Sequence, residues 1–185
     1  MLVTVEWCRG LLGVQTTAHD AYIETMISAA QERISAYLGQ PIERVERTHS
    51  GLCTASVMSE YGIVILPASI DVELASVYSG GDDITALSHI ERDCMVAVPT
   101  DYIGLMVDVT YRSGWTSTDV PADVQYAIAQ LVQHYYTRTE LSSSNYAGLQ
   151  SMSSSDAGVI THSRTIDRDY EQAILSRLER WRLRP

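Results

Sequence analysis

The strongest constraint on the fold is a helix signal with a clear start, apolar face and end. Thr17 and Asp20 stand three residues apart, which is the spacing of a capping box. Gly39 permits a left-handed helix end, and Pro41 prevents the helix from continuing. We therefore predict an amphipathic helix over residues 17–39. The residues that recur at the 3.6-residue period of its buried face are Ile23, Met26, Ile27, Ala30, Ile34, Tyr37 and Leu38.

A second long helix is predicted over residues 121–139. Pro121 suits the first helical position because the N–H that proline lacks would have no partner there. Asp123 and Gln133 fall on the face that we expect to meet solvent. The apolar face of this helix consists of Val124, Ala127, Ile128, Leu131, Val132 and Tyr135.

A short helix is predicted at the start of the chain. Thr4 is a good N-cap, and Gly13 provides a stop eight residues after the first helical position. Trp7 and Leu11 are four residues apart, so they lie on one face of this helix.

The segment between the two long helices changes to a strand pattern. Gly62–Leu66 is short, rich in β-branched residues and closed by Pro67, which indicates a buried strand. Leu105–Tyr111 alternates apolar and polar side chains, as a strand with one buried face does. The weaker strand candidates are residues 72–78, 84–90 and 94–98. We therefore expect a small, mainly antiparallel sheet at about residues 42–112.

These elements predict an α+β fold with two long amphipathic helices packed together, a small inserted antiparallel sheet and a C-terminal helical arm. The length of 185 residues fits one domain with an extended arm. Residues 1–140 would form the body. Residues 141–158, of which seven are serine, would form a flexible loop. Residues 159–185 would form the arm, with a last helix over about residues 166–183.

The charge of the chain is acidic and uneven. The 13 basic residues, all arginine, stand against 23 acidic ones and give a net charge of −10. An acidic surface repels phosphate, which argues against non-specific nucleic-acid binding by the whole surface. Residues 161–185 are the exception, because six arginines there face four acids. Such a basic end either docks on an acidic surface of another molecule or complements the dipole of its own helix end.

No motif marks the chain as an enzyme. The five histidines and three cysteines show no zinc-ligand spacing, and the odd cysteine number argues against a disulfide framework. Without lysine there is neither a phosphate-binding P-loop nor amine chemistry. Asp82-Asp83 follows two glycines and indicates a turn rather than a cation site. We expect no cofactor, no metal and no membrane span, and synthesis in a cytosol.

Three groups of segments, in this order, resemble the head–tail connector (adaptor) proteins of tailed bacteriophages. The first group lies within residues 1–41, the second within residues 105–140 and the third, more weakly, within residues 160–185. The segments that carry the resemblance are Val3–Leu12, His19–Ile23, Ile27–Ile34, Tyr37–Pro41, Val109–Trp115, Val120–Ile128, Tyr135–Glu140 and Leu178–Leu183.

The resemblance implies a structural virion protein, made in the host cytoplasm and placed in the neck between head and tail. Proteins of this family form a ring, typically twelvefold, beneath the portal, extend the DNA channel and dock the next neck or tail protein. The implied partners are therefore the portal protein, neighbouring copies of the chain, the next neck or tail protein, and DNA that passes without sequence-specific binding.

The resemblance also implies that the C-terminal arm reaches the portal. An acidic body would suit a channel wall, because phosphates do not adhere to an anionic surface. The candidate portal-binding residues in the arm are Arg177, Leu178, Arg180, Trp181, Arg182, Leu183 and Arg184.

Two alternatives stay open at this point. Another neck or tail structural protein, such as a stopper or a tail terminator, would share the ring but belongs to families that are chiefly strand-rich barrels. A small metal-dependent hydrolase is suggested only by the histidines and cysteines.

Overall fold

The computed structural model describes residues 1–56, 60–138, 151–154, 158–161 and 164–183, with the backbone alone described for residues 151–154, 158–161 and 164–168. The described residues form four α-helices: α1 (Val5–Leu12), α2 (Asp20–Leu38), α3 (Ala122–Thr137) and α4 (Arg164–Ser176). The chain divides into a helical unit, residues 1–37 and 120–180, and a sandwich unit, residues 38–119 and 181–185. None of the described helices is long and apolar enough to cross a membrane.

The short helix α1 has the ends that its sequence predicts. The Trp7 backbone N–H donates to Thr4 Oγ1 at 3.2 Å, and Gly13 closes the helix in the left-handed conformation at φ 69°. A backbone N–H left without a partner at a helix start is costly, so a side-chain cap fixes where the helix begins. Cys8 is the buried residue of α1.

The two predicted long helices are confirmed. A 3₁₀ turn at Thr17–His19 leads into α2, which ends before Gly39 at φ 73°. Asp20 does not act as a capping-box partner for Thr17, because its carboxylate accepts from Arg9 Nη1 at 2.9 Å. Most buried side chains follow the predicted faces. The differences are that the predicted Tyr37 and Tyr135 are only half-buried, and that Gln31, Ala129 and Tyr136 are buried without having been predicted.

The sandwich unit contains two antiparallel sheets. Sheet I has the strand order β1-β8-β4-β5, and sheet II has the order β2-β3-β7-β6. The strands are β1 (Val45–Leu52), β2 (Thr54–Ala55), β3 (Gly62–Ile65), β4 (Glu73–Ser79), β5 (Asp82–Asp83), β6 (His89–Arg92), β7 (Met95–Val98) and β8 (Met106–Ser113).

The two sheets share one apolar core. The β-branched residues of the middle strands supply most of it, and Tyr111 is the largest buried side chain there. Gly51 lets β1 come close to β3, because a Cβ at this position would lie 2.8 Å from Val64 Cγ1. The buried members of this core are Cys53, Val64, Leu66, Ala68, Val77, Ile84, Val96, Val98, Val107, Val109 and Tyr111.

The predicted fold class is wrong. We expected two long helices with a small inserted sheet and a helical arm, whereas the described residues form four helices and two four-stranded sheets, with 27% strand. Strand β1 escaped prediction because most of its side chains are exposed at the edge of sheet I, so the sequence shows no apolar alternation. Strands β2 and β5 have two residues each, too few for any periodic signal.

Part of the predicted serine-rich loop, residues 141–158, has regular backbone structure. Strand β9 (Ser151–Ser154) pairs antiparallel with β10 (Gly158–Thr161). Residues 139–150 and 155–157 lie outside the described residues, so the predicted flexibility of the loop stays a prediction. The last helix ends at Ser176 rather than near residue 183, and a 3₁₀ turn follows at Glu179–Trp181.

A tight backbone crossing at Gly114 fixes the position of Trp115. Gly114 has φ 102°, and a Cβ there would lie 2.5 Å from the Glu43 carbonyl oxygen. The Trp115 N–H donates to the Ile42 carbonyl at 2.8 Å. A side chain at position 114 would therefore strain the backbone and push Glu43 away from Trp115.

We predict opposite effects for two glycine-to-alanine substitutions. Gly114→Ala should lower the free energy of unfolding by at least ~2 kcal/mol because it combines a left-handed backbone with a backbone clash. Gly10→Ala, inside α1 with nothing within 4 Å of the added Cβ, should raise it by about 0.5–1 kcal/mol. Urea denaturation measures both. Equal stability of Gly114→Ala and the parent chain would contradict the described crossing.

Candidate interaction surfaces

The C-terminal segment, residues 164–183, contributes apolar side chains to the helical unit. Ile174, Leu175 and Leu178 are buried, and Leu178 has no exposed surface. Tyr170 packs on His134 of α3, with ring centroids 5.2 Å apart. A short amphipathic helix is marginal in isolation, so this packing is what stabilises α4.

Polar contacts also orient this segment in the helical unit. On the α2 side, Arg33 Nε pairs with Glu171 at 3.3 Å, and the Tyr37 hydroxyl donates to Glu179 at 2.7 Å. On the α3 side, Arg180 pairs with Asp123 at 2.7 Å. Exposed pairs of this kind contribute at most about 1 kcal/mol each, so they orient the segment more than they hold it.

The last described residues pack in the sandwich unit. The rings of Trp181 and Trp115 meet edge to face, with centroids 5.1 Å apart and planes at 85°. Buried Gln40 donates from Nε2 to the Trp181 carbonyl at 2.9 Å and accepts from the Ser69 N–H at 2.7 Å. The Leu183 N–H donates to the Leu38 carbonyl at 3.0 Å. Aromatic packing on Trp115 and the hydrogen bonds of the buried Gln40 amide together hold Trp181 in place. We call this group of residues, Gln40, Ser69 and Trp115, the Trp181 seat.

The seven candidate portal-binding residues therefore fall into different environments. Leu178 is fully buried, while Trp181 and Leu183 are half-buried in contacts with the chain itself. The exposed candidates with described positions are Arg177, Arg180 and Arg182, which we call the C-terminal arginines. Arg184 lies outside the described residues. The structure thus separates buried or half-buried apolar residues from exposed cations, of which Arg180 is paired with Asp123.

Trp115, Gln40 and Ser69 complete the seat, and none was predicted as a functional residue. Trp115 ends the Tyr-Arg-Ser-Gly-Trp stretch that contributes to the family resemblance, and Gln40 lies between Gly39 and Pro41. Their positions in the sequence do not show that they meet Trp181, because the contacts join residues more than 65 positions apart.

The sandwich unit also exposes an apolar surface at one end of sheet I. Leu52 and Met106 face each other across β1 and β8, and Leu105 lies next to them because its carbonyl accepts from the Cys53 N–H at 2.9 Å. With Ile103, these side chains form the apolar tip, and each is between 39% and 56% exposed. Contiguous exposed apolar residues of this size are typical of an interaction site.

Acidic residues lie near the apolar tip and further along the same sheet. Asp101 lies in the 3₁₀ turn at Thr100–Tyr102, which comes just before Ile103. Asp108 lies two residues after Met106 on β8. In sheet I, Tyr78 of β4 pairs with Asp108 of β8 on one side and with Asp83 of β5 on the other. Two hydrogen bonds from Thr85 lower the pKa of Asp83, so this carboxylate is charged at neutral pH. The tip therefore favours a partner with apolar residues and a basic rim.

Burial sets the reactivity of two of the three cysteines. Burial raises the pKa of the Cys8 thiol to about 11 and also raises that of Cys53. Both thiols are therefore protonated, and weak nucleophiles, at neutral pH. Within the described ranges, no group of three or more His, Cys, Asp or Glu side chains could hold a metal ion.

Comparison with known proteins gives the family. The model of the head completion protein family matches residues 1–171. The chain belongs to this family. Membership confirms the head–tail resemblance and the prediction of a structural protein rather than an enzyme. No curated protein matches the chain in sequence.

Chains of gene transfer agent (GTA) particles are among the solved structures similar to this head completion protein. A chain in the neck of an empty GTA particle, computed with C6 symmetry, has a TM-score of 0.61 at 15% identity, over 100% of this chain and 91% of that one. A chain in the neck of a native particle, computed with C12 symmetry, has a TM-score of 0.57 at 16% identity, over 98% and 88%. At these identities the likeness shows a shared fold.

We predict that Leu178 and Arg177 differ sharply in their effect on stability. Leu178→Ala should lower the free energy of unfolding by about 2–5 kcal/mol, because it leaves a cavity in the core. Arg177→Ala, which removes an exposed side chain with a 3.4 Å contact to Gln130, should change it by no more than about 0.5 kcal/mol. Chemical denaturation followed by circular dichroism measures both. Similar values for the two variants would contradict the described docking of the segment.

Proposed function

We propose that this head completion protein is a ring-forming adaptor in the virion neck, placed beneath the portal, extending the DNA channel and docking the next neck or tail protein. The observation that carries the proposal is the family match over residues 1–171. The likeness in fold to chains from necks computed with C6 and C12 symmetry supports it. The four described helices argue against the strand-rich stopper or terminator alternative.

We assign the portal contact to the C-terminal arginines, of which Arg177 and Arg180 belong to the helical unit and Arg182 to the sandwich unit. They are exposed, whereas Leu178 is buried and Trp181 is half-buried in its seat on Trp115. In this proposal the C-terminal segment is not a free arm. Its apolar side chains pack on the chain itself, and its guanidinium groups face the portal. Arginine suits a contact with carboxylates on another protein because its planar fork makes paired hydrogen bonds.

The tail-facing surface is the apolar tip with its acidic surroundings. Its apolar side chains would be removed from water only by a partner. The C-terminal arginines are basic, whereas the residues near the apolar tip are acidic. A portal and a tail component would therefore select different surfaces of the same chain.

The acidic excess suits a wall past which DNA slides. Residues 38–119 hold twelve acidic side chains and four arginines. Affinity for DNA depends on cations that replace the counterions of phosphate groups, and this part of the chain offers few. The proposed adaptor therefore passes DNA without binding a particular sequence.

We predict that the C-terminal arginines are needed for attachment to the portal. The triple variant Arg177→Gln, Arg180→Gln, Arg182→Gln should bind purified portal at least about tenfold more weakly, because it loses charge-assisted hydrogen bonds across the contact. The control variant Arg47→Gln, Arg92→Gln, Arg112→Gln removes the same charge from the sandwich unit and should bind like the parent chain. Surface plasmon resonance measures both, and unfolding curves confirm that both are folded. Unchanged portal affinity of the C-terminal variant would contradict this assignment.

We also predict that the apolar tip is needed for joining tails. Leu52→Ser with Met106→Ser should leave the chain bound to filled heads but yield few tailed particles, because a partner would lose its apolar contact. Leu87→Ser is the matched control, since Leu87 is 61% exposed elsewhere in the sandwich unit. Electron microscopy counts tailed and tailless heads. Normal tail joining by the double variant would show that the tip does not dock the tail.

A further inference from the structure

Helix α1 presents an apolar face to solvent. Trp7 is 37% exposed and Leu11 is 50% exposed. Cys8 is buried, and Val5, Arg9 and Leu12 are half-buried on the other side of the helix. We call Trp7 and Leu11 the α1 knob. Exposing a tryptophan and a leucine side by side to water is unfavourable, and a partner that buried them would regain that free energy.

The helical unit also contains an apolar groove of about 520 Å³, which we call the α2–α3 groove. Tyr22 and Tyr135 contribute aromatic side chains to it, and Arg138 contributes a cation. Its volume lies in the range of about 300–1,000 Å³ that holds a drug-sized apolar ligand, which is enough for two side chains. The groove is lined by Tyr22, Thr25, Met26, Ala29, Tyr135 and Arg138.

The contacts of the N-terminal segment with α2 and the groove lie on opposite sides of α2. Helix α1 packs mainly on α3. The N-terminal segment reaches the side of α2 that carries Asp20 and Gln31, where Arg9 pairs with Asp20 and the Leu2 N–H donates to Gln31. Successive helical residues turn by about 100°, which places Tyr22 and Ala29 roughly half a turn away from that side. The N-terminal segment of a chain therefore contacts α2 on the side away from the groove, and neither Trp7 nor Leu11 lines the groove of its own chain.

We propose that the α1 knob of one copy inserts into the α2–α3 groove of the next copy. The occupant is a second copy because knob and groove match in chemistry. The indole of Trp7 would meet the aromatic rings of Tyr22 and Tyr135, which favours offset or edge-to-face packing. Glu6, which is exposed beside the knob, carries the charge opposite to that of Arg138 in the groove.

This contact is heterologous, because two different surfaces of the chain meet. A heterologous contact repeats from copy to copy and closes into a ring when its rotation divides a full circle. The inference deepens the proposed function and rests on it, since it names the residues that join neighbouring copies of the adaptor. It does not use the C-terminal arginines or the apolar tip, so portal and tail contacts stay available in the ring.

Photo-crosslinking in assembled particles tests the contact. Particles are made with a chain that carries p-benzoylphenylalanine at position 11, irradiated, and resolved on a denaturing gel. We expect a covalent dimer whose linked peptides join position 11 to residues 22–29 or 135–138. The control carries the same analogue at position 126, where Tyr126 is 60% exposed on the side of α3 away from Tyr135, and should give no such dimer.

Charge reversal gives a second test that does not depend on crosslinking. Glu6→Arg and Arg138→Glu should each reduce the number of copies per particle, measured by quantitative mass spectrometry, and the double variant should restore it. A chain that is present in the neck but links from position 11 to other sites, or does not link at all, overturns the contact and leaves the adaptor role intact. A chain absent from the neck overturns the adaptor role itself.

Discussion

The packing of Trp181 on Trp115 is the contact on which our account of the C-terminal segment depends. Gly114, with φ 102°, lets the backbone pass against Glu43 and thereby positions the Trp115 ring. Gln40 then satisfies the Trp181 carbonyl within the same seat. Because the aromatic residue of the segment is used in this way, its guanidinium groups become the part that another protein can reach. A sequence that looks like a free cationic arm is thus a docked segment with an exposed cationic surface.

The same separation between apolar anchor and charged surface recurs elsewhere in the molecule. Leu178 is fully buried while its sequence neighbours Arg177 and Glu179 are exposed. At the apolar tip the arrangement is reversed, because Leu52 and Met106 are exposed and the acidic residues Asp101 and Asp108 lie close to the tip in the chain. Burial supplies stability, and the exposed groups supply the choice of partner. The described residues thus include one basic group of exposed side chains and one exposed apolar group with acidic neighbours.

The sequence predicted the helix ends, because these depend on residues that are close together in the chain. Thr4 and Gly13 bound α1 through a cap and a left-handed residue, and Gly39 ends α2, as their residue types require. It did not predict the number of strands, because strand pairing joins distant residues and the polar edge strand β1 lacks apolar alternation. From the sequence we chose the C-terminal arginines and Trp181 as candidate portal-binding residues. We did not identify Trp115, because nothing in the sequence shows which ring Trp181 contacts. The family resemblance came from helix ends and turns, which are local features, and the family match confirms it.

A high-resolution cryo-electron microscopy map of the neck of the particle would show where the C-terminal segment lies. We expect a closed ring of this fold against the portal, in which Trp181 remains on Trp115 of its own copy while Arg177, Arg180 and Arg182 face the portal. A map in which Trp181 has left Trp115 and enters the portal, or in which the three arginines face away from it, would show that the segment does not dock in this way.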